Sequence, residues 1–367
     1  MDYVILAAPV SPFFLVPPFL HKTQEHHRVT GPSPIRSGGF AAAGALLCCV
    51  EITNQSFAED KEMKLSKLRN AIVYRATLPS IEAVEGHLHE LPYSELTETE
   101  FARASFVPDP LTGELVTPIT DGYAIVVRRD QKIIPQHVVM KEANERIQRI
   151  ENACGQKLKR ADRNNIIQDA KVQLCKQAFI KSSLILVLYN TEENLLIINS
   201  ANKNIANLVG AMLVKVIGSV KTVTINISDI KNGLTTRLKN HLDGEESAFA
   251  GFEVGDYVQL SRLAEQKEVI RYSAEHTSVT SEILESLNTG FIVDNMELRG
   301  CGVSFLLTDK FHFRRIDTKD NDYSDDDDKA YRWRHQAGTD MFQFCKVINQ
   351  LCDLLAYKEP EEQKPAA

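Results

Sequence analysis

No GxxxxGK[ST] run occurs in the 367 residues, and no GxGxxG follows a strand-like segment. Neither phosphate-cradling glycine loop is therefore available, which disfavours an ATP-driven DNA motor or a dinucleotide-dependent dehydrogenase. GxSxG, HExxH and HxE…PCxxC are missing as well, so no nucleophile elbow, zincin or zinc deaminase is indicated. The seven cysteines, at 48, 49, 154, 175, 301, 345 and 352, form no CxxC and no Cys/His cluster at zinc spacing. Their odd number and scattered placement favour reduced thiols in a cytoplasmic protein, with no metal and no cofactor expected. Long apolar runs are also scarce. Tyr3–Leu20 is broken by Pro9, Pro12, Pro17 and Pro18, and Phe40–Val50 has eleven residues, against about 20 needed to cross a bilayer. Asp2 replaces the positive charge a signal peptide requires. Residues 1–62 are thus expected to be a disordered or spurious extension ahead of a start near Met63, with no membrane partner.

Charge is unevenly distributed. The chain carries 42 Lys and Arg against 49 Asp and Glu, a net of −7. Between Arg128 and Lys181 there are 13 basic residues against 6 acidic ones, so this stretch is +7 and the rest is −14. A basic segment on an acidic protein suggests a polyanionic partner. Val139, Ala143, Ile147, Ile150 and Cys154 recur at helical spacing, as do Ile167, Ala170, Leu174 and Ala178. Two amphipathic helices forming a projecting antiparallel hairpin over 131–181 are expected, joined by the basic turn GQKLKRAD. A solvated hairpin braced by Glu142–Arg146 and Glu145–Arg149 pairs explains the charge equally well. The turn favours a ligand, because Lys157, Lys159, Arg160 and Arg163 crowd into seven residues with only Asp162 opposing them.

Elsewhere, strands are expected at 68–75, 123–129, 184–189, 195–199, 222–227, 290–298, 302–308 and 311–316. Helices are expected near 80–88, 201–217, 233–241, 278–288 and 339–355. Residues 93–121 and much of 229–276 read as polar turns and charged, irregular segments. Asp317–Lys329, with its DDDD run, reads as a solvated loop without the spacing of a calcium site. The fold class is α+β, with antiparallel strand pairs and packed helices rather than a βαβ alternation. The expected organisation is a body of two subdomains over 63–130 and 182–357, the hairpin over 131–181, and a disordered tail over 358–367.

LRNAIVYR (68–75), SFVPD (105–109), RRDQKIIPQHVV (128–139), QKLKRADR (156–163), QAFIK (177–181) and TSEILESLNTGFIVDNMEL (280–298) occur in an order that resembles the RdgC family of recombination-associated proteins of bacteria and their phages. The likeness spans roughly Met63 to Leu355. It implies a non-enzymatic, nucleoid-associated homodimer. Such proteins close into a ring around double-stranded DNA, bind with little sequence preference and restrain RecA-promoted strand exchange through the shared DNA. Lys157, Lys159 and Arg160 look like the family's basic hairpin tip, and Phe179 resembles an aromatic at a dimer contact. Gln156 departs from the arginine of a relative at that position. The candidate phosphate contacts are Arg128, Arg129, Lys132, Lys157, Lys159, Arg160, Arg163 and Lys171. Two other readings stay open: a scaffold whose hairpin docks an acidic protein, and a metal-dependent nuclease using the acidic 317–328 region.

Overall fold

The computed structural model describes residue 65 and residues 67–355, apart from 91, 219–220, 226–229, 274–275 and 320–327. Expectations for residues 1–62, for Asp325–Asp327 and for the tail lie outside these residues.

The architecture is α+β, and every strand pairing among the described residues is antiparallel. The first sheet contains β1 (Ile72–Thr77), β2 (Ala102–Val107), β3 (Val116–Ile119), β4 (Gly122–Lys132), β5 (Ile180–Asn190), β6 (Leu195–Ile198) and β7 (Lys221–Thr224). Its order is β2-β4-β5-β6-β1-β7, with β3 sharing the β2 edge of β4. The second contains β8 (Glu253–Leu263), β9 (Lys267–Ser273), β10 (Ile292–Gly300), β11 (Val303–Thr308) and β12 (Phe313–Thr318), ordered β12-β11-β10-β8-β9.

The central strands of the first sheet are unbroken apolar runs because both faces are covered, a pattern more familiar from parallel sheets. Alternation along each strand divides the side chains between two cores. Ala124, Leu186, Leu188, Leu195 and Ile197 face the larger core. It also holds the second sheet, α5 (Ile230–Leu242) and the long α7 (Lys329–Leu354). Ile125, Val127, Val187, Tyr189, Leu196 and Ile198 face the other core, closed by α1 (Ile81–His89) and α4 (Lys203–Ile217).

A short main-chain seam joins the two sheets. Ala71 and Phe313 exchange two backbone hydrogen bonds of 2.9 Å, and Ile316 donates to the Arg69 carbonyl at 2.8 Å. Around that seam Phe313 packs against Phe344, Phe311 and Phe305 with ring centroids 4.8–5.4 Å apart. Such tilted and edge-to-face geometry adds about 0.5–1.5 kcal/mol per pair beyond burial.

Several local readings need correcting. Residues 93–121 are not all turns: β2 and β3 lie there and pair with successive halves of β4. The charged stretch within 229–276 holds the paired strands β8 and β9. The last helix begins ten residues earlier than its apolar period indicates. Asp328 caps it by accepting from the Tyr331 amide at 3.2 Å, and the first two turns present mostly polar residues to solvent. On that helix Phe342 is exposed, with Lys346 over its ring. The buried stripe runs instead through Met341, Phe344, Cys345, Ile348, Leu351 and Cys352. Burial pushes the Cys345 thiol up to about 12 and Cys352 to about 11, which keeps both protonated and unreactive.

One polar group ties the second sheet to its helix. Asp294 on β10 is buried. It accepts from Ser261 on β8 at 2.6 Å and pairs with Lys231 of α5 at 3.0 Å and Lys267 of β9 at 3.1 Å. Burial alone would raise its pKa, but the Ser261 hydroxyl and the two ammonium groups overcome that and hold it at about 2. A carboxylate depressed in the fold contributes stability above its unfolded pKa near 4, and that contribution is lost as pH falls towards 2. Asp294→Asn should therefore cost about 1–3 kcal/mol at pH 7. In thermal melts the wild-type and variant curves should converge between pH 4 and 2; a constant gap across that window would contradict the assignment.

Candidate functional site

The hairpin grows out of the sheet. Strands β4 and β5 pair without interruption over eleven positions, from Gly122↔Asn190 to Lys132↔Ile180. The middle of the ladder is core, while its far end leaves the body and passes into α2 (Gln136–Cys154) and α3 (Arg160–Lys176). The helices pack on each other, and the buried residues are Val139, Ala143 and Ile147 on α2 and Ala170 and Cys175 on α3, whose thiol donates to the Glu100 carbonyl at 3.5 Å. The apolar stripe runs out before the tip: Ile150 is partly exposed and Cys154 is exposed. On α3 the expected stripe is only partly realised. Ile167, Leu174 and Ala178 are half-buried, and Ala178 lies beyond the helix end. Of the two expected bracing pairs, Glu142–Arg146 forms at 2.8 Å, whereas Arg149 donates to the Glu145 carbonyl.

The tip turn is fixed by one carboxylate. Gly155 ends α2 in the left-handed region (φ 66°), where a side chain would be strained. Glu151 then accepts from the Leu158 amide at 2.8 Å and from the Arg163 guanidinium at 2.6 Å. Those two bonds hold its carboxyl below the usual range. With Arg163 tied to Glu151, three exposed cations remain at the turn, Lys157, Lys159 and Arg160, and no ion pair holds any of them among the described residues. They stand at the N-terminus of α3, whose dipole adds further positive potential.

The other nominated basic residues differ in their freedom. Lys132 is buried, and its ammonium donates to the Thr97 carbonyl at 3.0 Å and to that of Glu98. It closes the 93–101 segment onto β4 and cannot also reach a phosphate outside. Arg128 is bound to Asp130 at 2.9 Å, donates to Ser182 and lies 4.6 Å from the Tyr93 ring centre. It is a strut of the hairpin base rather than a free cation. Lys171 sits over the Phe101 ring at 4.5 Å. Arg129 is half-exposed with no ion pair among the described residues.

Phe179 is 84% exposed, in the short link between α3 and β5. Its carbonyl accepts from the Ile133 amide at 2.9 Å, and Ile133 and Ile180 beside it are 53% and 51% exposed. Three large apolar side chains at the hairpin base are thus uncovered. Phe179 was singled out from the sequence; Ile133 and Ile180 were not, because both fell in the 131–181 stretch expected to be a helical hairpin. The backbone bond from Ile133 to Phe179, which continues the β4–β5 ladder, brings Ile133 beside Phe179.

A family model described as "Putative exonuclease, RdgC" matches residues 67–357. The chain belongs to the RdgC family. Proteins named "Recombination-associated protein RdgC" align along most of their own length. That of Actinobacillus succinogenes is 28% identical over 268 residues, covering 71% of this chain and 86% of the relative. That of Sodalis glossinidius is 27% identical over 278 residues, covering 72% and 89%. For Proteus mirabilis the figures are 25% over 271 residues, 71% and 88%. The RdgC match includes both sheets and the hairpin. Among the described residues no group of three or more His, Cys, Asp or Glu is placed to hold a metal ion, and no helix is long and apolar enough to cross a membrane.

The Glu151 staple gives a direct test of the tip geometry. Glu151→Ala should speed exchange of the Leu158 amide proton by roughly tenfold or more, the equivalent of one charge-assisted hydrogen bond, while amides in β4 and β5 keep their protection. Unchanged Leu158 exchange, measured by NMR, would show that the turn does not depend on this carboxylate.

Proposed function

We propose that this protein binds double-stranded DNA without sequence preference, as a homodimer, and restrains RecA-type homologous recombination by occupying the DNA, with a nucleoid-associated place in the cytoplasm. The observation that carries this reading is the hairpin tip, where Lys157, Lys159 and Arg160 stand exposed, with no ion pair among the described residues, at a helix N-terminus on an otherwise acidic chain. Lysine and arginine beside phosphate supply affinity without reading bases. The names of the relatives, which refer to recombination, point the same way. The second copy belongs at the exposed Phe179, Ile133 and Ile180, since a surface that apolar is more stable covered than wet. The protein acts as a binding protein rather than an enzyme. The word exonuclease in the family description favours the contrary reading; it predicts release of nucleotides from linear duplex on adding Mg²⁺, and intact duplex after long incubation would remove it.

Binding to unrelated duplexes should weaken steeply with salt. Lys157→Glu with Lys159→Glu should weaken it to all sequences alike and flatten the log–log salt slope by about 1.8 for each hairpin engaged. A mobility-shift titration against two unrelated duplexes checks this; loss on one sequence alone, or a slope unmoved by the substitutions, would overturn the phosphate assignment.

Phe179→Asp should shift sedimentation from dimer towards monomer at micromolar protein while leaving the melting temperature within a degree or two, since the side chain lies outside both cores. An unchanged dimer would place the self-contact elsewhere.

A further inference from the structure

A second charged feature lies at the seam between the sheets, on a different part of the fold from the hairpin. β1 pairs with β7 from Tyr74 to Thr77, and Ala71, just ahead of β1, pairs with Phe313 of β12. Ile72 and Val73 fall between these pairings, and a cleft of about 260 Å³ opens there. Its walls are mixed: Ile72, Ile225, Ile230, Phe311 and Tyr74 line it together with Lys203, Asp309, Lys310 and His312. A second cleft of about 240 Å³ adjoins it, sharing Asp309, Lys310 and His312, and this one is polar, with Arg314, Lys267, Gln259 and Asn295. Together they reach the size of a small-molecule site, about 300–1,000 Å³.

The charge around this double cleft is not balanced. Lys203, Lys231, Lys267, Lys310 and Arg314 face two carboxylates, Asp294 and Asp309. Lys231 and Lys267 already neutralise Asp294, and Lys231 also lies 3.7 Å from Asp309. Lys203, Lys310 and Arg314 keep their charge free of any ion pair among the described residues. Between them His312 is held below its ordinary pKa, first by burial and then by Lys203, Lys310 and Arg314, with Asp309 opposing. Burial and the three cations thus act on the imidazole in the same direction, and Asp309 offsets them only in part.

A further observation marks the polar wall of the cleft. Phe311 and Arg315, on either side of His312–Arg314, both adopt left-handed backbone (φ 56° and 50°). Strain of that kind at bulky residues persists where surroundings enforce it and clusters at binding sites. At Arg315 it accompanies a register shift against β11 that leaves Arg314 and Arg315 both facing solvent.

We propose that the seam cleft binds a nucleotide unit, with the phosphate among Lys310, Arg314 and Lys203 and the base against the apolar lining residues Ile225, Ile230 and Phe311. The shared chemistry is a phosphate ester carrying a flat ring, supplied either by a free nucleotide or by one unit of a nucleic-acid strand. The site does not depend on the hairpin.

Titration calorimetry on the full chain tests it with AMP, adenosine, inorganic phosphate and a single-stranded dT8. AMP or dT8 should bind at least tenfold more tightly than adenosine or phosphate. Lys310→Glu with Arg314→Glu should remove that binding with an unchanged melting temperature; Lys310→Ala, as a milder second variant, should weaken it severalfold. The hairpin variant Lys157→Glu with Lys159→Glu should leave it intact, which separates this site from the duplex reading. Preference for AMP assigns the site to a free nucleotide, and preference for dT8 assigns it to a strand. AMP should also raise the NMR titration midpoint of His312. Adenosine binding as well as AMP, phosphate alone binding as well as either, or affinity unchanged in both cleft variants would overturn the proposal.

Discussion

The eleven-rung ladder between β4 and β5 is the constraint on which the rest of the molecule depends. Its central residues are covered on both faces, so each strand is fixed in register by two cores at once. A slip of one position would exchange Ile125, Val127 and Val187 with Ala124, Leu186 and Leu188 between cores of different shape. The same ladder runs beyond the body and delivers α2 and α3 as a continuation of the sheet. The hairpin is therefore not hung on a flexible linker. Its direction is set by hydrogen bonds that begin in the core, and its base is locked by Lys132, Arg128 and Asp130 where the ribbon leaves it.

Much of this was legible in the sequence, and the reasons differ by element. The strands of the first sheet's centre announce themselves as apolar runs, and α2 as a period of three and four, because their burial is strong and regular. β2, β8 and β9 were obscure because half-exposed strands alternate charged and apolar residues weakly. β9 places Ile270 among exposed neighbours. The start of α7 was hidden by the opposite cause: a helix whose first turns touch little needs no apolar face, only a cap, and Asp328 supplies it from the end of an acidic run.

The basic residues teach a sharper lesson. Composition counts charges; it cannot see which of them are already used. Lys132 and Arg128 belong to the same positive stretch as Lys157 and Lys159, yet the former brace the fold and the latter face solvent. The distinction arises from partners far away in sequence, Thr97 and Tyr93 among them. Residue spacing does not encode such partners. The seam cleft was illegible for the same reason: Tyr74, Lys203 and His312 come from three separate segments that meet only because Ala71 pairs with Phe313.

The internal neutralisation at the hairpin base also has a kinetic consequence. Because Arg128, Arg146 and Arg163 are matched by Asp130, Glu142 and Glu151, little of their field extends outward, while Lys157, Lys159 and Arg160 at the tip have no ion pair among the described residues. At physiological salt such a field reaches only about 8 Å. On the proposed function, an approaching polyanion would be repelled by the acidic body and drawn in close to the tip. Encounter is then biased by orientation before any contact forms, and its rate, like its final strength, should fall as ionic strength rises.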